Sequence, residues 1–468
     1  MSLSVRRFAC LLVLIAGCLS GCVRFHPQPL SPEKTAAQLE SRSLTNIVLK
    51  AFFETNGYKD SWPLKSWNFE TLTLAAFYYN PSLDVARADW KAATAGEETA
   101  AERPNPTATA SGIYEPAAGA FSPWIPGVVF DLPLETAGKR RFRMDQAGYN
   151  ADSARFSVAT AAWQVRSSVR SSLLDFVSAR RHEDLLRSQL QSREEVTRRL
   201  ESQLQAGAIS SVEMNTARLA LIRARADLAD AQRMSAEARA RLSVAIGVPA
   251  RALDEIDIEF EFGAGVPDSM TTSQVRELAL RGRADILSAL ADYAASQSAL
   301  QLAVARQYPD IHLSPGYSWN AGSTGENDWQ VGVTVELPIL TQHKGGIAEA
   351  SARREASAAR FLALQAKVIG DIDTATASFH ASKTNAAALH TLVSTQMTQQ
   401  RSIEEQFKAG ALDRLDVLNG ELELNAAQLA QLDAEIKLEQ AVGALADAVQ
   451  RPFEMPKTIF QASRANEQ

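Results

Sequence analysis

Few side chains in this sequence are spaced for chemistry. Its six histidines stand at 26, 182, 312, 343, 380 and 390. His380 and His390 share a predicted helix ten residues apart, about 15 Å at the helical rise and too far to hold one metal ion. The three cysteines, Cys10, Cys18 and Cys22, all fall near the N-terminus. The body beyond them can build neither a disulfide nor a thiolate metal site. There is no glycine-rich phosphate loop, no His-Glu-x-x-His and no Gly-x-Ser-x-Gly, so neither catalytic residues nor a cofactor are expected. One basic run, Lys139, Arg140, Arg141 and Arg143, lies between a predicted strand and a predicted helix. It reads either as a phosphate-binding or pore-mouth patch, or as a solvated junction, which is what charge runs usually are. A net charge of −6 and a pI near 5.7 argue against a nucleic-acid partner.

Cys22 is the cysteine with a specific chemical context. Arg6 and Arg7 precede an apolar run from Phe8 to Leu19 that is too short to span a bilayer. The run ends in Leu19-Ser20-Gly21-Cys22, which resembles a bacterial lipobox whose cysteine is acylated after cleavage. Ile15-Ala16-Gly17-Cys18 is a second, weaker match. Residues 1–21 are thus expected to be a lipoprotein signal peptide. Residues 22–66 are expected to be a lipid-anchored tether with Pro27, Pro29 and Pro32 near its start. Val23 follows the cysteine where an Asp would favour inner-membrane retention, so outer-membrane sorting is permitted.

The elements that carry these residues come in two copies. Gln205-Ala206-Gly207-Ala208-Ile209 is matched by Lys408-Ala409-Gly410-Ala411-Leu412 at an offset of 203 residues. Each glycine reads as the left-handed turn between two long helices. The same offset relates Leu83 to Ile286, Pro106 to Pro309 and Pro249 to Pro452, while Pro133 and Pro338 are 205 apart. An offset held over so many landmarks indicates an internal repeat. The expected copies are residues 67–250 and 271–453, joined by an equatorial linker at 251–270 and followed by a tail at 454–468.

Each copy is expected to run helix, two strands, long helix, glycine turn, helix. The strands are expected near 105–115 and 126–135, then near 310–320 and 329–338. Trp329, Val331, Val333, Val335 and Leu337 alternate with Gln330, Gly332, Thr334 and Glu336. That period of two suits a strand with one lipid face and one polar face. Trp319 and Trp329 flank the connecting loop, where interfacial aromatics belong. The helical hairpins are expected at 140–247 and 345–450. Leu415, Leu418, Leu422, Asn425, Leu429, Leu432 and Ile436 form a heptad seam, with Val212, Asn215, Leu219, Ile222, Ala226 and Ala229 as its counterpart. Residues 33–53 are expected to be helical, and Ile256–Phe260 to hold a short strand.

This duplicated order resembles the TolC-like outer-membrane efflux family. The matching residues are Asn80-Pro81-Ser82-Leu83, Arg103-Pro104-Asn105-Pro106, Asp131-Leu132-Pro133-Leu134, the paired Ala-Gly-Ala turns, Tyr308-Pro309-Asp310 and Glu336-Leu337-Pro338-Ile339. Glu135-Thr136-Ala137-Gly138-Lys139-Arg140-Arg141 also looks like the heavy-metal-efflux branch. The resemblance implies a mainly α protein with transmembrane β-strands, whose long hairpins stand below a 12-stranded barrel shared by a homotrimer. Physics asks for oligomerisation independently, because four strands cannot close and open sheet edges are not tolerated in lipid.

The resemblance further implies a passive, non-enzymatic exit duct in a tripartite pump. Its partners would be a periplasmic adaptor (membrane fusion protein), a proton-driven inner-membrane transporter and outer-membrane lipid. Adaptor contact is expected at Gly207, Ala208, Ile209 and Ser210, and at Gly410, Ala411, Leu412 and Asp413. Asp416 matches a carboxylate position that narrows the periplasmic end, whereas Asn419 departs from the family's second acid. Two other readings stand beside this one. The same fold serves type I protein secretion, which a co-encoded ATP-driven exporter would reveal. The other is a structural coiled-coil lipoprotein or a periplasmic adaptor; the adaptor reading predicts one hairpin flanked by β-rich domains, and the 203-residue duplication counts against it.

Overall fold

A computed structural model describes residues 24–58, 62–116, 123–260, 262, 272–320, 326–450 and 457–460. The signal peptide and Cys22 lie outside the described residues. Contacts divide the chain into residues 1–42 and 43–468. In the first unit the described helix is α1 (Pro32–Glu40), opened by Ser31, whose side chain accepts the Lys34 N–H. All other elements belong to the second unit.

The helix expected over 33–53 is two helices, because Asn46 starts α2 (Ile47–Thr55) as an N-cap accepting from the Val48 N–H. A short strand β1 (Ser66–Trp67) then leads into the first copy: α3 (Phe69–Tyr79), α4 (Pro81–Ala101), β2 (Thr107–Tyr114), β3 (Trp124–Leu134), α5 (Lys139–Gln205) and α6 (Ser211–Ile246). Asn68 and Thr71 cap α3 reciprocally, and Asn80 caps α4 with Pro81 at its first position. A 3-10 turn (Ala250–Leu253) and β4 (Asp257–Ile258) follow. β4 pairs in parallel with β1, so the described part of the linker is stitched to the start of the first copy. The second copy is α7 (Thr272–Gly282), α8 (Ala284–Ala305), β5 (Ile311–Asn320), β6 (Glu326–Val335), α9 (Lys344–Lys408) and α10 (Arg414–Val449). A 3-10 turn at Lys457–Phe460 ends the described chain.

Helices α5 and α9 are 67 and 65 residues long, about 100 Å each at 1.5 Å per residue. Strand β6 begins and ends about three residues before the expected 329–338. Asn327 and Asp328 already pair with Trp319 and Ser318 of β5, while Leu337 has no strand beside it.

Two cores repeat each other. Leu83, Val165, Val169, Phe176 and Leu242 are buried in the first; Ile286, Val368, Ile372, Phe379 and Leu445 are buried in the second, each 203 residues later. The first core is larger because α2, β1 and the 3-10 turn add Phe53, Trp67 and Ile459. The N-cap residue of α4 donates to the returning helix through Asn80 Nδ2 and the Ala245 carbonyl at 2.8 Å. Arg283, the N-cap of α8, does the same through Nη1 and the Ala448 carbonyl at 2.7 Å. The repeat thus preserves a contact with different side chains, since any donor of the right reach will serve.

Each returning helix carries two apolar stripes. Met214, Ala224, Ala231 and Ala238 of α6, and Val417, Ala427, Ala434 and Ala441 of α10, are buried at equivalent positions. The heptad seam is the other stripe. In α10, Leu418 and Leu422 pack on Val196 of the first copy's α5, with Leu415 and Leu200 beside them. The copy-one counterpart is not a buried seam: Val212, Leu219 and Ile222 are 71%, 59% and 62% exposed. The reason is geometric. This stripe faces a neighbouring copy, and α6 has no such neighbour in the single chain.

Candidate functional site

One antiparallel sheet of order β2-β3-β5-β6 gathers all four long strands. Its register sorts the side chains by face. On one face lie Phe130, Leu132 and Leu134 of β3, Ile311 and Leu313 of β5, and Val331, Val333 and Val335 of β6. Val331 and Val333 are 79% and 63% exposed in the single chain, an apolar surface with no protein against it. On the other face lie Thr109, Ser111, Asp131, His312, Ser314, Gln330 and Thr334. There the His312 Nδ1 lies 2.9 Å from Asp131 Oδ2. This pairing joins neighbouring strands of different copies and has no signal in local sequence.

The connecting-loop end of both hairpins carries an aromatic cross-strand pair on the apolar face. Tyr114 meets Trp124 at 5.1 Å between centroids, and Tyr317 meets Trp329 at 5.0 Å. Tyr114 and Tyr317 are 203 residues apart. Strand β3 has 11 residues, about 35 Å of strand, which at the usual tilt gives an apolar band near the ~25 Å of outer-membrane barrels. No described helix is long and apolar enough to cross a membrane; the membrane face here belongs to the sheet.

In the basic run at the other end, Lys139, Arg140 and Arg143 form neither a free phosphate patch nor a solvated junction, while Arg141 is exposed. Arg140 donates through Nε and Nη2 to the Ala101 carbonyl at 2.9 and 2.7 Å. Arg143 donates to the carbonyls of Ala100 and Glu102 and to both oxygens of Glu135. Both guanidiniums therefore satisfy the C-terminal carbonyls of α4, where positive charge is favoured by the helix dipole. Hydrogen bonding to Glu135 raises the Arg143 pKa. Lys139 is buried, and its Nζ reaches the Tyr308 carbonyl at 2.6 Å and Asp310 Oδ1 at 2.8 Å. Thr136 Oγ1 donates to the Pro309 carbonyl at 2.6 Å. Burial pushes the Asp310 carboxyl up, but the Lys139 and Thr136 donors outweigh it and hold it below the usual range. The run is the joint that fixes strands to helices.

At the far end, both glycine turns are Schellman motifs. The Ala208 N–H reaches the Gln203 carbonyl and the Gly207 N–H reaches Leu204, at 2.8 and 2.9 Å; Ala411 to Gln406 and Gly410 to Phe407 are both 2.9 Å. Gly207 and Gly410 have φ of +73° and +78°, and a Cβ on either would meet nothing within 4 Å. Ala208, Ser210, Ala411 and Asp413 are exposed; Ile209 and Leu412 are half-buried. Asp416 and Asn419 are exposed. The Asp416 carboxylate accepts the Asp413 N–H at 3.0 Å and Asp413 accepts the Asp416 N–H at 2.9 Å, a capping box. Ser210 and Glu213 form the same box in the first copy. The spacing of acids after each turn carried that signal in the sequence.

Side-chain ties join α5 to α10 along their length. Asp447 accepts from Trp163 Nε1 and Ser167 Oγ, Glu439 accepts from Arg170, and His182 lies 2.8 Å from Asp433. Near the tips Arg414 bonds Glu195 at 3.3 Å. Hydrogen bonds from Arg414 and then Arg199 hold the Glu195 carboxyl below its usual range. His380 and His390 are exposed on α9. Among the described residues no cluster of three His, Cys, Asp or Glu side chains could hold a metal ion.

A sheet with one apolar face, continued by two very long helical hairpins, defines a membrane channel subunit rather than an enzyme. The sequence model of the outer membrane efflux protein family matches residues 75–248 and 275–449, and the chain belongs to that family of outer-membrane transport ducts. It is 26% identical over 341 residues to the pyoverdine export outer membrane protein OpmQ of Pseudomonas aeruginosa, covering 68% of this chain and 69% of that protein. It is 23% identical over 306 residues to the cobalt-zinc-cadmium resistance protein CzcC of Cupriavidus metallidurans, covering 64% and 71%. Among solved structures, the outer membrane protein VceC of Vibrio cholerae superposes with a TM-score of 0.66 at 20% identity, covering 82% of this chain and 97% of that one.

Proposed function

We propose that three copies of this chain pool their sheets into one 12-stranded barrel, forming the passive exit duct of a tripartite efflux system. The observation that carries this reading is the four-stranded sheet, apolar on one face, whose outer edges on β2 and β6 are unpaired among the described residues. Lipid tolerates no such edge, and twelve strands lie within the range of natural barrels. Native mass spectrometry in detergent should give a trimer; a stable folded monomer would end the proposal.

The hairpin tips dock a periplasmic adaptor through Gly207–Ser210 and Gly410–Asp413, and the adaptor in turn meets a proton-driven inner-membrane transporter. Small exposed side chains around each glycine let a partner backbone approach, and Ile209 and Leu412 add apolar area at the turn. The open space at Gly410 makes Gly410→Val a selective probe, costing roughly 1–2 kcal/mol of local strain and placing bulk on the docking surface. Adaptor cross-linking and export should both fall away while the trimer persists. Unchanged cross-linking and export in that variant would refute the assignment. Asp416 and Asn419, just inside the tips, line the periplasmic constriction. A wide tunnel has little selectivity of its own, so in this reading cargo is chosen by the inner-membrane transporter, whether it is a metal ion or another solute.

Cys22 carries the lipid that holds the mature N-terminus in the outer membrane. Its support is the Leu19-Ser20-Gly21-Cys22 sequence after a charged, apolar leader. Mass spectrometry of the mature N-terminus should find acylated, palmitate-bearing Cys22; an unmodified N-terminus at another residue would sink this part.

A further inference from the structure

Copy two lacks the joint that closes copy one. Arg140 and Arg143 clamp the last carbonyls of α4. The residues 205 positions later are Gly345 and Ala348, which carry no side-chain donor. Between α8 and α9, with α5 at its edge, lies a cleft of about 770 Å³. That is the volume of a site for a small organic molecule rather than for a bare ion. Ala295, Ala299 and Ala303 of α8 leave room along its floor. Ile311 of β5 pairs with Val335 of β6, so the end of α8 and the start of α9 lie level beside the sheet. There Arg306 of α8 and His343, Glu349 and Arg353 at the start of α9 line the cleft. Helical side chains lean toward their own N-terminus, so Arg306 leans away from the sheet and Arg353 toward it, and the two converge. Arg353 is paired with Glu349, whereas Arg306 is exposed and has no ion-pair partner among the described residues. Asp292 and Arg360 stand at the other end, ~20–25 Å away along the helices, and offset each other in charge.

The face on which the cleft opens follows from the repeat. On α4, Arg87 Nε donates to the Ile459 carbonyl at 2.6 Å and the Trp90 ring meets Phe460 at 5.6 Å, so that face carries the C-terminal turn. Its equivalents on α8, 203 residues later, are Leu290 and Tyr293. Asp292, Ala299 and Arg306 recur at seven-residue steps, about 160–200° around the helix from Leu290. The cleft therefore opens on the face opposite the C-terminal turn. Three such turns inside a bore would obstruct it, so in a duct they belong outside and the cleft belongs to the bore wall. We propose that the cleft binds a small organic acid in transit, its oxyanion held between Arg306 and Arg353 and its uncharged body along the alanine floor. Guanidinium groups match the planar, two-oxygen geometry of a carboxylate. The proposal rests on the duct reading and names a solute class for it. The site holds such acids at the wall and does not bar other cargo.

Isothermal titration calorimetry of the full-length protein in lipid nanodiscs compares 4-biphenylcarboxylate with 4-biphenylcarboxamide, which has the same shape and no charge. The parent should bind the carboxylate about tenfold more tightly or better, the increment of one charge-assisted hydrogen bond. Arg306→Gln should remove that preference. Glu349→Gln, which releases Arg353, should tighten carboxylate binding. Arg354→Gln, on α9 but outside the cleft, should leave binding of both probes unchanged. Native mass spectrometry of each variant in detergent reports the oligomer and any retained lipid. Equal binding of the two probes by the parent, or an unchanged preference in Arg306→Gln, overturns the site while leaving a trimeric duct standing. A phospholipid retained by the parent and lost in Arg306→Gln overturns the bore placement, because only an outward-facing cleft meets lipid. A folded monomer overturns the duct reading, and the bore placement with it.

Discussion

Gly247→Ala should cost about 3 kcal/mol or more, among the largest single-residue losses this chain can suffer. Gly247 ends α6 with φ at +88°, and a Cβ there would lie 2.6 Å from the Tyr79 carbonyl oxygen and 2.9 Å from its carbon. Both atoms are backbone at the end of α3, so neither can swing aside. The left-handed conformation alone costs a non-glycine residue roughly 1–2 kcal/mol. The clash adds to that by driving α6 away from the α3–α4 junction, where Asn80 Nδ2 donates to Ala245. Gly207→Ala is the matched control: its φ is +73° but its Cβ would meet nothing within 4 Å, so only the conformational term of about 1 kcal/mol applies. Thermal melting of the detergent-solubilised protein and its yield in the outer membrane read the difference. Equal melting of Gly247→Ala and Gly207→Ala would show that the close approach to Tyr79 does not matter.

Val333→Arg should abolish assembly in the outer membrane, whereas Thr334→Arg should not. Val333 opposes Leu313 on the apolar face, and Thr334 opposes His312 on the polar face. An arginine facing the middle of the bilayer costs roughly 2–4 kcal/mol, falling toward zero near the interface. Every copy in the shared barrel would bear that cost. At Thr334 the same charge would face the water-filled side, beside polar neighbours. Membrane fractionation with native gel electrophoresis compares the two variants directly. Assembly of both, or loss of both, would mean that the faces have been assigned wrongly.

Much of this protein was determined by local sequence. Backbone constraints act within a few residues, so Gly207 and Gly410 mark the two hairpin turns, and Pro104 and Pro106 mark where α4 yields to β2. Periodicity is equally local: alternation from Trp329 to Val335 already specifies a two-faced strand, though not where β6 starts, which Trp319 and Ser318 decide by pairing. The fixed offset between copies gave the order of elements twice. Tertiary structure alone decided what the polar groups do. Lys139, Arg140 and Arg143 are a charge run in sequence, yet their partners are the carbonyls of Ala100, Ala101, Glu102 and Tyr308. These carbonyls come near only when the strands return the chain to its helices. His182 meets Asp433, and His312 meets Asp131, for the same reason. The heptad seams show the limit most plainly. Both stripes read alike in sequence, but Leu418 and Leu422 are buried while Val212 and Leu219 stand exposed. Periodicity fixes that a helix has an apolar face; only the placement of a neighbouring helix fixes whether that face is covered.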